Sequence, residues 1–174
     1  MLKKISDVKG VEYIIRLFVI AIAALTPIIL ILTEGVLPSL STYWNTPMQF
    51  LFVIANATTS YYFYKLESWK YPSVFLLLLT AFSVEHHIML HNILAVSFFV
   101  LSLYSLFRSR HFKYCFWIYL SSLFIMPYSL LAGEVTAILA LSLYHALLLN
   151  KAHKLNKRSK NDKNKPINQR APGV

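Results

Sequence analysis

Long apolar stretches alternate with short polar breaks along this chain. The breaks at 3–9, 65–70 and 108–113, and everything after 151, carry Lys and Arg; those at 34–47, 85–91 and 127–134 carry none. Short basic loops are retained on the cytoplasmic side during insertion, so the alternation predicts membrane spans and their direction together. Roughly 20 apolar residues cross a bilayer, and a soluble core helix needs far fewer.

Six spans follow, near 13–33, 47–64, 72–84, 89–107, 114–131 and 135–149. The stretch 71–107 decides the count. It is long for one span, and Glu85, His86, His87, His91 and Asn92 interrupt it. Read as a hairpin, it leaves the basic groups at 65–70 and 108–113 on one side of the membrane. The expected fold is all-α: a polytopic membrane helix bundle of six transmembrane helices with both termini cytoplasmic. Residues 1–150 form the transmembrane domain, and 151–174 a basic, disordered cytoplasmic tail without an apolar face to dock. Pro27 is expected to kink span one, Gly35 and Pro38 to break the helix after it, and Gly133 to permit a tight turn between spans five and six. Arg16 is expected to snorkel toward the inner headgroups.

Composition agrees with the pattern: 57% hydrophobic, 14% charged and a mean hydropathy of +0.54, against about a quarter charged in a soluble domain. The net charge of +10 comes from basic residues at span ends and in the tail, so positive-inside sorting explains it and nucleic acid is not the expected partner. The partners expected are the lipid bilayer, anionic lipid at the tail through Lys151, Lys154, Lys157 and Arg158, and other membrane proteins. The location is a bacterial inner membrane or plasma membrane. The first apolar run is too long for a signal-peptide core and acts as its own anchor. The single Cys115 excludes an intramolecular disulfide and a cysteine zinc site.

Candidate chemistry gathers on the outer side. Glu34, Glu85 and Glu134 lie one in each outer break, and His86, His87 and His91 cluster in the second. On a helix, His87 and His91 would share a face. With Glu85 and Glu134 they make a candidate zinc or other transition-metal site, and His86, His87 and His91 equally make a candidate pH-sensing cluster. The bland alternative is a polar turn facing water. No cofactor is required by the sequence. Asn56, Thr59 and His145 are the intramembrane polar residues, and such groups face the bundle interior. His145 and His91 lie at different depths, which argues against a bis-His haem. Ser83 lacks a nucleophile elbow and reads as a helix packer. His111 and His153 read as surface residues.

The segment Leu90-His91-Asn92-Ile93-Leu94-Ala95-Val96-Ser97-Phe98-Phe99 resembles the DRAM/FRAG group of six-span membrane proteins, as do the span count and termini. That resemblance implies a non-catalytic role in membrane trafficking or lipid organisation, with His91 as a functional or structural marker. A weaker similarity is to the seven-span CREST-type hydrolases such as alkaline ceramidases, which implies zinc held by His, Asp and Ser. Here the membrane Asp and the final-span His pair are missing. The leading expectation is therefore a scaffold, sensor or lipid-organising subunit. The alternatives are a metal-dependent lipid hydrolase at the outer leaflet and a small transporter with a polar path from Asn56 to the outside.

Overall fold

The computed structural model describes residues 10–82, 85–109 and 111–163, with the side chains of Gly10 and of 158–163 outside the description. Six α-helices are present among them: α1 Gly10–Glu34, α2 Gln49–Tyr64, α3 Lys70–Ala81, α4 Ile88–Arg108, α5 Lys113–Ile125 and α6 Leu130–Lys163. Two short 3₁₀ helices, Leu40–Asn45 and Glu67–Trp69, lie in the connections. No strand occurs among the described residues. The expectations at Ser83, at the end of span three, at the first basic cluster (Lys3, Lys4, Lys9) and beyond 163 fall outside them.

Each helix packs on its successor, and α1 closes the circle by packing on α6. The result is a ring of six helices. Its outer surface carries large apolar side chains such as Phe18, Leu32, Val96, Trp117 and Phe124. An exposed apolar belt of this extent is costly in water and marks a surface that meets lipid or protein. Three helical stretches are long and apolar enough to cross a membrane: Val11–Glu34, Ile88–Arg108 and Leu130–Lys157. The other three helices have 16, 12 and 13 residues, below the roughly 20 that span a hydrocarbon core unaided.

Local chemistry explains the helix ends. Gly35 follows α1 at φ +81°, and its N–H returns to the Ile31 carbonyl at 3.0 Å. This left-handed cap costs glycine nothing and other residues about 1 kcal/mol or more. Ser129 caps α6 by accepting the Ala132 N–H at 3.3 Å. Helix α6 therefore begins at Leu130, inside the segment expected to close span five. Gly133 is a helical residue and not a turn residue. A Cβ there would lie 2.9 Å from both the Met126 nitrogen and the Ser122 carbonyl oxygen of the preceding segment. Its role is close approach of α6 to the end of α5.

Helix α6 runs past 149, where span six was expected to end, and continues to Lys163. Leu, Ala and Lys are good helix formers, Ala152 is buried, and His153 stacks on Tyr13 with ring centroids 4.4 Å apart. Arg16 pairs with Glu12, one turn toward the N-terminus of α1, and its guanidinium carbon lies 5.9 Å from the centre of the Tyr62 ring.

Hydroxyl groups tie the ring together. Ser60 donates to the Ser73 carbonyl at 2.6 Å, Ser105 to the Ser68 carbonyl at 2.9 Å and Tyr119 to the Phe99 carbonyl at 3.2 Å. Such bonds join helices where apolar burial alone gives no preference between lipid and protein.

Candidate functional site

A cavity of about 110 Å³ lies inside the ring, bordered by α1, α2, α3, α4 and α6 and by the first 3₁₀ helix. The α6 wall is formed by Glu134, Ile138, Leu141, Ser142 and His145. Those positions recur at helical spacing, so one face of α6 runs along the whole cavity. From Glu134 to His145 that face rises about 16 Å at the usual 1.5 Å per residue. Pro27 and Ala23 form part of the α1 wall. Because proline has no N–H, the Ala23 carbonyl lacks its usual helical donor at that point.

At one end of this wall, the buried Glu134 carboxylate accepts the Leu40 N–H at 2.6 Å. Leu40 opens the 3₁₀ helix Leu40–Asn45, so the acid satisfies a free N-terminal donor and fixes the connection between α1 and α2 on α6. Tyr43, fully buried below, donates its hydroxyl to the Gly35 carbonyl at 2.6 Å. The loop is thus tied to α1 and α6 together.

His91 lies in the first turn of α4 and lines the same cavity. Its Nδ1 is 2.7 Å from the Phe82 carbonyl, which bridges the two ends of the connection between α3 and α4. With that carbonyl as acceptor, Nδ1 is the donor. His87, by contrast, precedes the helix with φ −138° and ψ 47°. Its ring is exposed and stands edge-on to Phe82 at 5.6 Å.

The outer cluster expected from sequence is therefore divided. Glu85, His86 and His87 sit exposed on the turn, while His91 and Glu134 are buried along the cavity. His87 is the residue before α4, its carbonyl accepting the His91 N–H at 2.8 Å, and the two rings differ in environment, one exposed and one buried. Among the described residues, no three His, Cys, Asp or Glu side chains lie close enough together to hold a metal ion.

The structure instead places His91 and Glu134 on the same cavity as the three polar residues expected to face inward, Asn56, Thr59 and His145. His145 is only 1% exposed. Its ring is boxed by Phe63 at 4.5 Å, Trp69 at 4.6 Å, Tyr144 at 5.2 Å and Tyr62 at 5.6 Å. Neither ring nitrogen has a hydrogen-bond partner, and neither does the Thr59 hydroxyl.

At the other end of the bundle, His111 lies in the connection between α4 and α5. Its Nδ1 is 3.2 Å from the Lys151 ammonium. Partial burial first, and the Lys151 charge second, hold this imidazole below the ordinary histidine range. Lys154 and Lys157 are exposed, Lys151 is half-buried, and the Arg158 side chain is outside the described residues. Cys115 is fully buried.

No protein-family profile matches the chain, and no curated protein or solved structure is detectably similar to it.

Proposed function

We propose that this chain is a six-span membrane protein, both termini cytoplasmic, that holds a single small apolar chain inside its helix ring. It works as a non-catalytic lipid-organising or lipid-sensing subunit of a bacterial inner membrane or plasma membrane. Membership of the DRAM/FRAG group, carried by the segment 90–99, is part of this reading. The observation that carries it is the cavity itself: an interior space walled mostly by apolar side chains, within a bundle whose exterior is also apolar. Ligand pockets combine such walls with a few placed polar groups. The volume is of the order that a short apolar chain segment fills. An engineered cavity of similar order, about 150 Å³, accommodates benzene.

The short helices support the six-span reading because each packs between two neighbours in a closed ring. The basic residues then fall at one end of the ring and the exposed Glu85, His86 and His87 at the other. Lys154 and Lys157, on the extension of α6, face the anionic inner leaflet.

The test is native mass spectrometry of the protein released from mild detergent. The expected result is one small lipid-derived molecule retained per chain. Ala95→Phe, which fills the cavity from α4 without removing a polar group, abolishes the adduct. A wild-type protein that carries no adduct, or an adduct unchanged in Ala95→Phe, contradicts the proposal.

A further inference from the structure

Polar atoms on the cavity wall are of two kinds. The Thr59 hydroxyl and both His145 nitrogens are sealed by the packing around them. Glu134 is different. One carboxylate oxygen, Oε2, accepts the Leu40 N–H at 2.6 Å. The other, Oε1, has no partner among the described residues and is not sealed. The residue lines the cavity and keeps 9% of its surface open. Ser41, which follows Leu40 in the chain, lines the cavity beside it.

This carboxylate also lacks a cation. Among the described residues, no Lys, Arg or His forms an ion pair with Glu134, and no Lys or Arg lines the cavity. Charges taken out of water are normally paired, because apolar side chains do not replace the lost hydration. The backbone amide of Leu40 fixes the position of the acid but brings no full charge. The neighbouring walls are apolar: Leu30, Phe52 and Ile138 pack with Leu40 in one cluster and line the cavity as well. A charged acceptor beside apolar walls matches a guest with a cationic donor head and a short hydrocarbon body. It does not match a carboxylate or phosphate head, which Glu134 would repel.

We infer that the cavity binds a short primary alkylammonium, its N–H groups donating to Glu134 Oε1 and its hydrocarbon part lying against Leu30, Phe52 and Ile138. This rests on the chain-binding reading above and adds the chemistry of the head group. The volume of about 110 Å³ sets the length of the chain. Propylammonium is smaller than benzene, which occupies an engineered cavity of about 150 Å³.

The test uses the full chain in detergent micelles, labelled with ¹⁵N-leucine and titrated with propylammonium or 1-propanol at neutral pH. The reporter is the Leu40 amide, which is bonded to the carboxylate and is identified by its loss in Leu40→Met. Propylammonium is expected to shift this resonance saturably and to bind at least about tenfold more tightly than 1-propanol, the value of one hydrogen bond to a charged group. Glu134→Gln, which keeps an acceptor for the Leu40 N–H, is expected to bind the two probes equally. Ala95→Phe, which fills the cavity, is expected to abolish the shift. Equal binding of the two probes to wild type, unaltered by Glu134→Gln, overturns this inference and leaves the chain-binding reading intact. An ammonium preference that survives in Glu134→Gln, or a shift that persists in Ala95→Phe, places the amine elsewhere and overturns it too. So does the absence of any shift with propylammonium; the adduct measurement on wild type and Ala95→Phe then decides the chain-binding reading separately.

Discussion

Replacing Gly133 with alanine tests whether α5 and α6 approach as closely as the structure shows. In an ordinary helix this change stabilises by about 1 kcal/mol, because alanine loses less backbone entropy than glycine. Here the added Cβ would lie 2.4 Å from the Met126 Cγ and 2.9 Å from two backbone atoms, the Met126 nitrogen and the Ser122 oxygen. The methionine side chain can swing away, but the backbone atoms cannot. The helices must part by about 0.5 Å to bring those 2.9 Å approaches to the 3.4 Å where ordinary contact begins. Overpacking of this kind costs about 1–3 kcal/mol. Set against the alanine gain, the net effect is a loss of about 1–2 kcal/mol, since the parting also loosens contacts around the buried Ala137 and Ala140. Thermal unfolding in detergent should show Tm lowered by about 2–8 °C, at the shift per kcal/mol usual for a chain of this length. Met126→Ala should not rescue it, because the backbone clash persists. An unchanged or raised Tm in Gly133→Ala would refute the close crossing, and rescue by Met126→Ala would show that only a side chain stood in the way.

Gly35→Ala provides the opposite case: nothing lies within 4 Å of its Cβ position, so the loss of about 1 kcal/mol comes only from the left-handed backbone and should appear equally with Gly35→Ser. Glu134→Ala leaves the Leu40 N–H without its acceptor, and hydrogen exchange at Leu40 should speed by about tenfold or more while exchange in α5 stays unchanged. For His111, the folded-state shift is downward, so its stabilising contribution is in place above about pH 6.5 and is lost as pH falls through the lower folded value. Lys151→Met removes the neighbouring charge, and the fall in Tm between pH 8 and pH 5 should be smaller in that variant than in wild type; an identical fall would show that the contact with Lys151 does not matter. Because His87 is exposed on the turn and His91 is buried with its Nδ1 on the Phe82 carbonyl, metal analysis of purified protein should find no stoichiometric zinc whose retention depends on both residues.

The order and type of the helices were legible because two independent signals agreed. Apolar runs marked the segments, and basic residues marked alternate ends. The α3–α4 turn at Glu85–His87 followed from its charge in an otherwise apolar stretch. Other features were not legible. The continuation of α6 past 149 depends on Ala152 and His153 meeting α1, a contact far away in sequence. The function of Gly133 depends on which segment crosses it, since a glycine near a turn signal reads as a turn residue. Separating His91 from His87 requires the helix start, and a shift of one residue decides whether four-residue spacing means a shared face. Asn56, Thr59 and His145 were recognisable as polar groups that must face inward. That they join His91 and Glu134 around one cavity depends on the closure of α1 on α6, which no local pattern encodes. The free Thr59 hydroxyl is a rotamer choice and leaves no trace in composition.

The central claim is a closed ring of six crossings around an interior site. Its most direct test is side-specific labelling of single cysteines, Glu67→Cys, Tyr128→Cys and Lys157→Cys, in a Cys115→Ala background with a membrane-impermeant thiol reagent. Six crossings place position 128 outside and positions 67 and 157 inside, so only 128 should label before permeabilisation. If only α1, α4 and α6 crossed, positions 67 and 157 would label from outside and 128 only from within, and that result would contradict the account.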